Sequence, residues 1–257
     1  MKQLACVLIA LAIAGVYSDE PEKLVNGTPT SIEKYPHAVS LRMNNNHFCG
    51  GSLIGEQWVL TAGHCVVPVL ENSRMRASVT VVSGTTYLDK DGESHKVDKL
   101  WYHDNYNPRA LGRGPYDIGL IKLAAPVTFS ETQKAISLPT NNIEKDDSVT
   151  IAAWGSTGFQ KHIHNDLQKL DAKAMLPKTC QEYYFGLLMK IHDNEFCTLI
   201  SRGTGLCNGD SGSGLIKNSD GTIIGLVSGG KPCARGSPDI YTNVFPYLSW
   251  IKEKMES

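Results

Sequence analysis

The sequence predicts an all-β fold stabilised by disulfides, and three observations support this prediction. Short segments rich in β-branched residues recur between turn residues, at 38–41, 78–82, 117–123, 149–152 and 222–227. The run Asn218-Ser219-Asp220-Gly221 separates two short apolar segments, which is a hairpin signal. Seven cysteines are present, and six remain after residue 18, an even number typical of a disulfide framework. Many short strands joined by turns favour a β-sandwich or barrel.

The first 18 residues have the composition of a secretory signal peptide. Lys2 supplies a positive start, residues 4–16 are almost continuously apolar, and cleavage is expected before Asp19. A membrane anchor is the alternative, but this apolar run is shorter than the roughly 20 residues that a spanning helix needs. We expect a secreted, extracellular protein that does not associate with a membrane.

Composition excludes several other kinds of function. The formal charge of −1 provides no basic surface for nucleic acid or for anionic lipid. No two cysteines have the C-x-x-C spacing of a structural zinc site. Residues 89–93 resemble the start of an EF-hand loop but lack its remaining ligands. We therefore predict no metal, no cofactor, no nucleic-acid partner and no membrane partner.

Only the C-terminal end shows a helical pattern. Leu248, Trp250 and Ile251 lie among charged residues between Pro246 and Met255, which predicts an amphipathic helix packed on a β core. No repeat, low-complexity tract or Pro/Ser-rich linker divides the chain. Its length suits one domain or two closely joined halves.

Three short motifs contain the residues that peptide-bond hydrolysis by a nucleophile requires. His64 lies in Thr-Ala-Gly-His-Cys, Asp117 lies in Tyr-Asp-Ile-Gly-Leu-Ile, and Ser211 lies in Gly-Asp-Ser-Gly-Ser-Gly. A serine nucleophile needs a base to accept its proton and a carboxylate to orient that base. The order His, Asp, Ser differs from that of subtilisins and α/β-hydrolases.

With these motifs, the chain resembles the chymotrypsin/trypsin family of serine endopeptidases, with arthropod chymotrypsin-like proteases nearest in pattern. The resemblance extends from Leu24 to the C-terminal helix and implies two six-stranded antiparallel β-barrels, with a boundary near residues 135–145. It also implies three disulfides, Cys49–Cys65, Cys180–Cys197 and Cys207–Cys233. His64 and Asp117 would belong to the first barrel and Ser211 to the second.

The resemblance assigns a role to each motif residue. His64 would act as general base and then general acid, while Asp117 orients it. The backbone N–H groups of Gly209 and Ser211 would stabilise the oxyanion. An inactive protease homologue that binds partners is the competing interpretation, although all three catalytic residue types are present.

The segment after the signal peptide resembles the activation site of a precursor. Residues 19–23 would be a propeptide, and 24–257 the protease domain. Cleavage after Lys23 would release the amino group of Leu24, whose sequence Leu-Val-Asn-Gly matches the Ile-Val-Gly-Gly pattern of the family. In the family this group pairs with the aspartate before the nucleophile, here Asp210. An activating trypsin-like protease is therefore an expected partner.

Two departures from the family pattern concern the substrate cleft. Ser213 and Gly214 replace the usual Gly-Pro after the nucleophile, and a need for positive φ at Ser213 would cause strain. Gly229 stands where the family usually has an aromatic residue, most often tryptophan. With Ser228 and Gly230, it belongs to the predicted specificity pocket.

The residues at the base of that pocket do not decide which substrate side chain is preferred. Gly205 occupies the position where trypsins have aspartate, whereas Asp239 lies on the opposite side of the pocket. We predict chymotrypsin-like or broad specificity for large apolar or aromatic side chains. Trypsin-like specificity set by Asp239 is the alternative. The expected partners are protein or peptide substrates and protein inhibitors, and a monomer is expected.

Overall fold

The computed structural model describes residues 24–90, 92–109, 114–186, 189–231 and 233–257. The predicted signal peptide 1–18 and the predicted propeptide 19–23, with Lys23, lie outside these residues. Leu24 is the first residue described, and it is fully buried.

Six antiparallel strands form a first β-barrel: β2 (Ala38–Met43), β3 (Asn46–Gly55), β4 (Trp58–Thr61), β5 (Val79–Ser83), β6 (Glu93–Tyr102) and β7 (Gly119–Leu123). The barrel closes in the order β2-β3-β4-β7-β6-β5. Val39, Leu53 and Val81 are fully buried in the barrel interior. Because successive side chains of a strand point to opposite faces, one face of each strand fills this core.

A second barrel closes when β8 pairs with both β9 and β11, and the short β1 adds to its edge through β9. Its strands are β8 (Ser148–Ala153), β9 (Gln168–Met175), β10 (Glu195–Thr198), β11 (Gly214–Lys217), β12 (Thr222–Gly230) and β13 (Asp239–Asn243), and β1 is Thr28–Pro29. The predicted hairpin around 218–221 joins β11 to β12. The expectation of two six-stranded antiparallel barrels is confirmed, and residues 124–147 connect them.

The prediction that only the C-terminus is helical is wrong. The described residues also form α1 (Gly63–Glu71), α2 (Ser73–Ser78), α3 (Pro177–Tyr183) and short 3₁₀ turns at Ile32–Lys34 and Phe245–Tyr247. In α1, the valines at 66, 67 and 69 and an internal Pro68 resemble a strand rather than a helix. Tertiary packing overrides this local preference, since most of α1 is buried.

The C-terminal helix, α4 (Leu248–Met255), begins two residues later than predicted because a 3₁₀ turn precedes it. Trp250 and Ile251 are buried with Leu60 of the first barrel and Leu226 of the second. Burial of a side chain such as Ile251 contributes about 1.5–3 kcal/mol. The helix therefore stabilises the junction of the two barrels.

None of the helices in the described part of the chain has the length and hydrophobicity needed to span a bilayer.

Candidate active site

His64 and Asp117 form two hydrogen bonds with each other. His64 lies in the first turn of α1, and Asp117 lies just before β7. Asp117 Oδ2 is 2.8 Å from His64 Nδ1, and Asp117 Oδ1 accepts the backbone N–H of His64 at 2.8 Å. Ala62, which precedes α1, has no side chain able to cap the helix, so Asp117 satisfies one of its unpaired N–H groups. The imidazole is thereby held by its Nδ1, and Nε2 remains directed away from Asp117.

The second barrel supplies further donors to Asp117. The Ser228 hydroxyl donates to Asp117 Oδ2 at 2.6 Å, and the Thr242 hydroxyl donates to the backbone carbonyl of Asp117 at 2.8 Å. The Asp117 side chain has no exposed surface. A buried carboxylate is costly unless its oxygens are hydrogen-bonded, so the Ser228 donor stabilises the charged side chain, while the Thr242 donor ties the backbone of Asp117 to the second barrel.

Two opposing effects set the pKa of His64. Burial disfavours the charged imidazolium, but the negative charge of Asp117 and its hydrogen bond favour it more strongly. The pKa of His64 is consequently raised above its ordinary value. His64 is still 16 % exposed, so its outer edge can reach a bound molecule.

Three disulfides are present, and they join the same cysteines that the family resemblance pairs: Cys49–Cys65, Cys180–Cys197 and Cys207–Cys233. Cys65 follows His64 directly, and the sulfurs of Cys49 and Cys65 lie within 4.8 Å of a His64 ring nitrogen. Because both sulfurs are in a disulfide, they are not available as metal ligands. Cys49 and Cys65 have a sequence separation of 16, and for a loop of this length chain entropy predicts about 3 kcal/mol of stabilisation.

Ser211 lies in a turn of the second barrel that contacts the first. Its carbonyl oxygen accepts the N–H of Gly50, in β3, at 2.8 Å. The side chain is partly exposed and borders a cavity of about 130 Å³. Within the described residues, no hydrogen bond joins the Ser211 hydroxyl to His64. Such bonds are often long without substrate and shorten when it binds.

Two backbone N–H groups around Ser211 have no hydrogen-bond partner among the described residues. Gly209 has φ +95°, a conformation that favours glycine. The N–H groups of Asp210 and Gly212 donate to backbone carbonyls of other residues. In the described part of the chain, those of Gly209 and Ser211 make no such bond. These are the two donors that the sequence assigns to an oxyanion site.

The backbone carbonyl of Gly209 is hydrogen-bonded by a histidine that lies in none of the sequence motifs. His47 Nε2 lies 2.9 Å from the Gly209 carbonyl oxygen, and His47 Nδ1 lies 2.8 Å from the Ser40 hydroxyl. Burial lowers the pKa of His47 to about 4, so the ring is neutral near pH 7. Nε2 then holds the proton and donates to Gly209. His47 is one of eight histidines, and nothing in its local sequence identifies it.

Asp210 is fully buried between two backbone donors. Its Oδ1 accepts the N–H of Gly155 and its Oδ2 that of Cys207, each at 2.8 Å. Burial raises the pKa of Asp210 to about 8; the two backbone bonds oppose this and the charge of Asp239 adds to it. Leu24, the predicted partner, packs in the core of the second barrel, and the described residues show no bond between it and Asp210.

The predicted pocket residues divide into two groups. Gly229, Gly230 and Asp239 line the same cavity as Ser211, and an Asp239 carboxylate oxygen lies 2.7 Å from where a side chain on Gly205 would begin. Ser228 instead directs its hydroxyl to Asp117. Since Gly205 and Gly229 have no side chains, Asp239 is the ionisable group that the described residues place at the pocket base.

Asp239 is itself largely buried. It is 8 % exposed, and its Oδ2 accepts the N–H of Leu206 at 2.9 Å. Burial raises the pKa of Asp239 to about 7, and the Leu206 bond only partly opposes this. The pocket base is therefore neutral in mildly acidic solution and negatively charged in alkaline solution.

Ser213 fits without the strain that its position suggested. It is absent from the positive-φ residues, whereas Gly212 before it has φ +78°. The buried Ser213 hydroxyl lies over Gly50, where a Cβ on residue 50 would come within 2.0 Å of it. The extra side chain at 213 is thus accommodated by the missing one at 50.

This combination of two barrels, a His–Asp pair at their junction and a serine beside a pocket defines a chymotrypsin-type serine endopeptidase. The chain belongs to the trypsin family, because the family model Trypsin matches residues 24–251. The expectations for family and enzyme class are confirmed.

Similar proteins agree with this classification. Chymotrypsin-2 of Vespa crabro is 37 % identical over 231 residues, 90 % of this chain and 99 % of that protein. Trypsin beta of Drosophila erecta is 29 % identical and covers 98 % of this chain and 96 % of its own. Among solved structures, neuropsin, a serine protease of mouse brain, superimposes with a TM-score of 0.78 and 28 % identity, over 89 % of this chain and 98 % of its own.

Proposed function

We propose that this endopeptidase cuts polypeptides by acyl transfer, with Ser211 as nucleophile, His64 as general base and acid, and Asp117 as the residue that orients His64. The observation with most weight is the pair of 2.8 Å hydrogen bonds from His64 to Asp117. It fixes the neutral tautomer that has its proton on Nδ1, so Nε2 can accept a proton.

In the first half of the reaction, Ser211 Oγ attacks the substrate carbonyl carbon while its proton passes to His64 Nε2. The C–N bond then breaks as His64 returns this proton to the leaving amine, and the acyl group remains on Ser211 as an ester. In the second half, the oxygen of a water molecule attacks the ester carbon while the water gives a proton to His64; the bond between that carbon and Ser211 Oγ then breaks, and His64 passes the proton to Ser211.

The negative charge that develops on the substrate oxygen would be stabilised by the N–H groups of Gly209 and Ser211. Losing one donor of this kind costs roughly 3–4 kcal/mol of transition-state stabilisation. The support is that both N–H groups are unused by the described residues while their neighbours are bonded.

For specificity, we favour large apolar or aromatic side chains before the scissile bond, with a broad range. Leu206 and Val227 contribute apolar surface to the cavity, and Gly229 and Gly230 leave its mouth open. Trypsin-like cleavage after Lys or Arg is the second candidate. Asp239 favours it, because this carboxylate lines the cavity and becomes charged as the pH rises through about 7.

We also propose that the chain is secreted as a precursor and is activated by a trypsin-like protease that cuts after Lys23. The released amino group of Leu24 would pair with Asp210. Burial raises the pKa of Asp210, whose partners among the described residues are two backbone N–H groups, and an ammonium partner would favour its ionised form. We further expect protein inhibitors to bind the same cleft, and the enzyme to act as a monomer.

Labelling with a biotinylated fluorophosphonate tests the catalytic assignment. The chain from Asp19 onward is prepared, and samples are labelled before and after cleavage with trypsin, which is then removed. We expect labelling at Ser211, located by peptide mass spectrometry, and a strong increase after cleavage. Ser211→Ala should abolish labelling, while the matched exposed variant Ser219→Ala should retain it. Absence of labelling in both samples would contradict the assignment, and equal labelling in both would contradict activation at Lys23.

A further inference from the structure

The residue before Asp117 has an unusual backbone conformation. Tyr116 has φ +68°, in the left-handed region that bulky residues rarely adopt. Its carbonyl oxygen accepts the N–H of Ile118 at 2.8 Å, which closes a three-residue turn with Asp117 at its centre. The conformation of Tyr116 therefore sets the direction in which the Asp117 side chain points away from the backbone.

Two rings hold the Tyr116 side chain. His103 stacks on it with a centroid distance of 4.9 Å and an interplanar angle of 24°. Tyr247 meets it edge-on at 6.1 Å and 75°. Aromatic pairs in these geometries are stabilising beyond the area they bury. Because both partners contact one ring, they restrict Tyr116 from two directions.

The two partners are themselves fixed. The backbone N–H of His103 donates to the Ile118 carbonyl at 3.1 Å, so His103 is tied to the same turn. Its ring also contacts Tyr247 at 5.3 Å and Trp250 at 5.4 Å. Tyr247 is buried, and its hydroxyl is bonded to the Asn194 side chain. The 3₁₀ turn and the helix α4 therefore form a packed wall behind Tyr116.

We propose that Tyr116 is a positioning residue for the reaction, whose ring, held between His103 and Tyr247, maintains the left-handed turn that presents Asp117 to His64. It acts through Asp117 and does not touch substrate. The inference rests on the proposed function, in which Asp117 orients His64. It also gives the C-terminal segment a role in catalysis, because Tyr247 and Trp250 form the wall.

Three variants at position 116 separate the ring from the backbone. Tyr116→Phe keeps the stacked ring and should keep kcat within about twofold, since only the hydroxyl is lost. Tyr116→Leu removes the ring, while leucine, like tyrosine, is unfavourable at positive φ. It should lower kcat about tenfold with little change in KM, because small misplacements of catalytic groups reduce the chemical step. In Tyr116→Gly, the glycine tolerates positive φ. Because the ring is lost, the kcat of Tyr116→Gly should still be lower than that of Tyr116→Phe.

The pH profile supplies a readout that a purely structural role would not change. In Tyr116→Leu, the contact between Asp117 and His64 should be looser, so Asp117 should raise the pKa of His64 by a smaller amount. The acid limb of kcat/KM should therefore move to lower pH. The exposed Tyr183→Leu is the matched control and should show neither change. Should Tyr116→Leu fail to fold, His103→Asn removes the stacking ring and should show the same kcat loss and shift.

The result that overturns the inference is a folded Tyr116→Leu, or His103→Asn in its place, with the kcat and pH profile of the parent enzyme. Failure of the parent itself is a different result. If the cleaved parent chain does not acylate Ser211, the proposed function falls. If the parent acylates and the variants match it, only the role of Tyr116 falls.

Discussion

The imidazole of His47 binds the Gly209 carbonyl oxygen across the junction of the barrels, with 2.9 Å between Nε2 and that oxygen. His47 belongs to β3 of the first barrel, whereas Gly209 precedes the nucleophile in the second. The contact holds the peptide plane that follows Gly209, in the segment whose N–H groups are proposed to bind the oxyanion. The first barrel thus supplies a contact to the proposed oxyanion segment as well as His64 and Asp117.

Removal of this contact should slow catalysis without abolishing folding. In His47→Ala the Gly209 carbonyl loses its donor, so we expect kcat to fall by about tenfold or more, approaching the loss seen when one oxyanion donor is removed. The measurement is steady-state hydrolysis of a peptide anilide, with thermal unfolding as a check on folding. The exposed His162→Ala is the control. A kcat for His47→Ala equal to that of the control would show that the contact is not needed.

Activity should depend on pH through His64. Only neutral His64 can accept the Ser211 proton, so activity is lost as the pH falls through the pKa of His64. Because Asp117 raises that pKa above its ordinary value, the acid limb of kcat/KM should have its midpoint above about 6.5. The measurement is kcat/KM from pH 4 to 9 with an uncharged substrate. Activity unchanged down to pH 4 would exclude His64 as the base.

The preference among substrates should change with pH through Asp239. As the pH rises through about 7, the Asp239 carboxyl ionises, so hydrolysis after Lys or Arg should increase relative to hydrolysis after Phe or Leu. In Asp239→Asn this ratio should stay constant with pH and fall about tenfold at pH 9, as expected for a lost charge contact. The exposed Asp89→Asn is the control. A pH-independent ratio in the parent enzyme would remove Asp239 from the specificity site.

Gly50 and Ser213 should behave as a coupled pair. A side chain at residue 50 would come within 2.0 Å of the Ser213 hydroxyl, so Gly50→Ala should lower the free energy of unfolding by about 1–3 kcal/mol through overpacking. Ser213→Gly alone should leave kcat within about twofold. The double variant Gly50→Ala/Ser213→Gly should recover much of the stability that Gly50→Ala alone loses, as measured by urea denaturation. Additive effects in this double-mutant cycle would mean that the two residues do not share the space.

The fold could be predicted from the sequence in part, and the reason differs between elements. The hairpin of β11 and β12 follows from the turn residues at 218–221, which act locally. Neither the number of barrels nor their closure follows from local pattern, and both came from the family resemblance. Helix α1 was missed because its valines and Pro68 favour strand or loop, while burial against the first barrel decides the outcome.

The site shows the same division between local and long-range information. His64, Asp117 and Ser211 each lie in a recognisable motif. The direction of the Ser228 hydroxyl, 111 residues from Asp117, is decided by the packing of β12 against the loop before β7. The contact of His47 with Gly209 spans 162 residues and has no sequence pattern. The positive φ of Tyr116 likewise has no local sequence signal, because a tyrosine would not adopt it by its own preference.

The most direct test of the central claim is the pre-steady-state burst with a p-nitrophenyl ester. If Ser211 forms a covalent acyl-enzyme, the chain cleaved after Lys23 should release about one equivalent of nitrophenol per active site before steady turnover. Mass spectrometry of the quenched sample should place the acyl group on Ser211, and Ser211→Ala should show no burst. A fully cleaved, folded enzyme that hydrolyses the ester without a burst and without acylation at Ser211 would contradict the account.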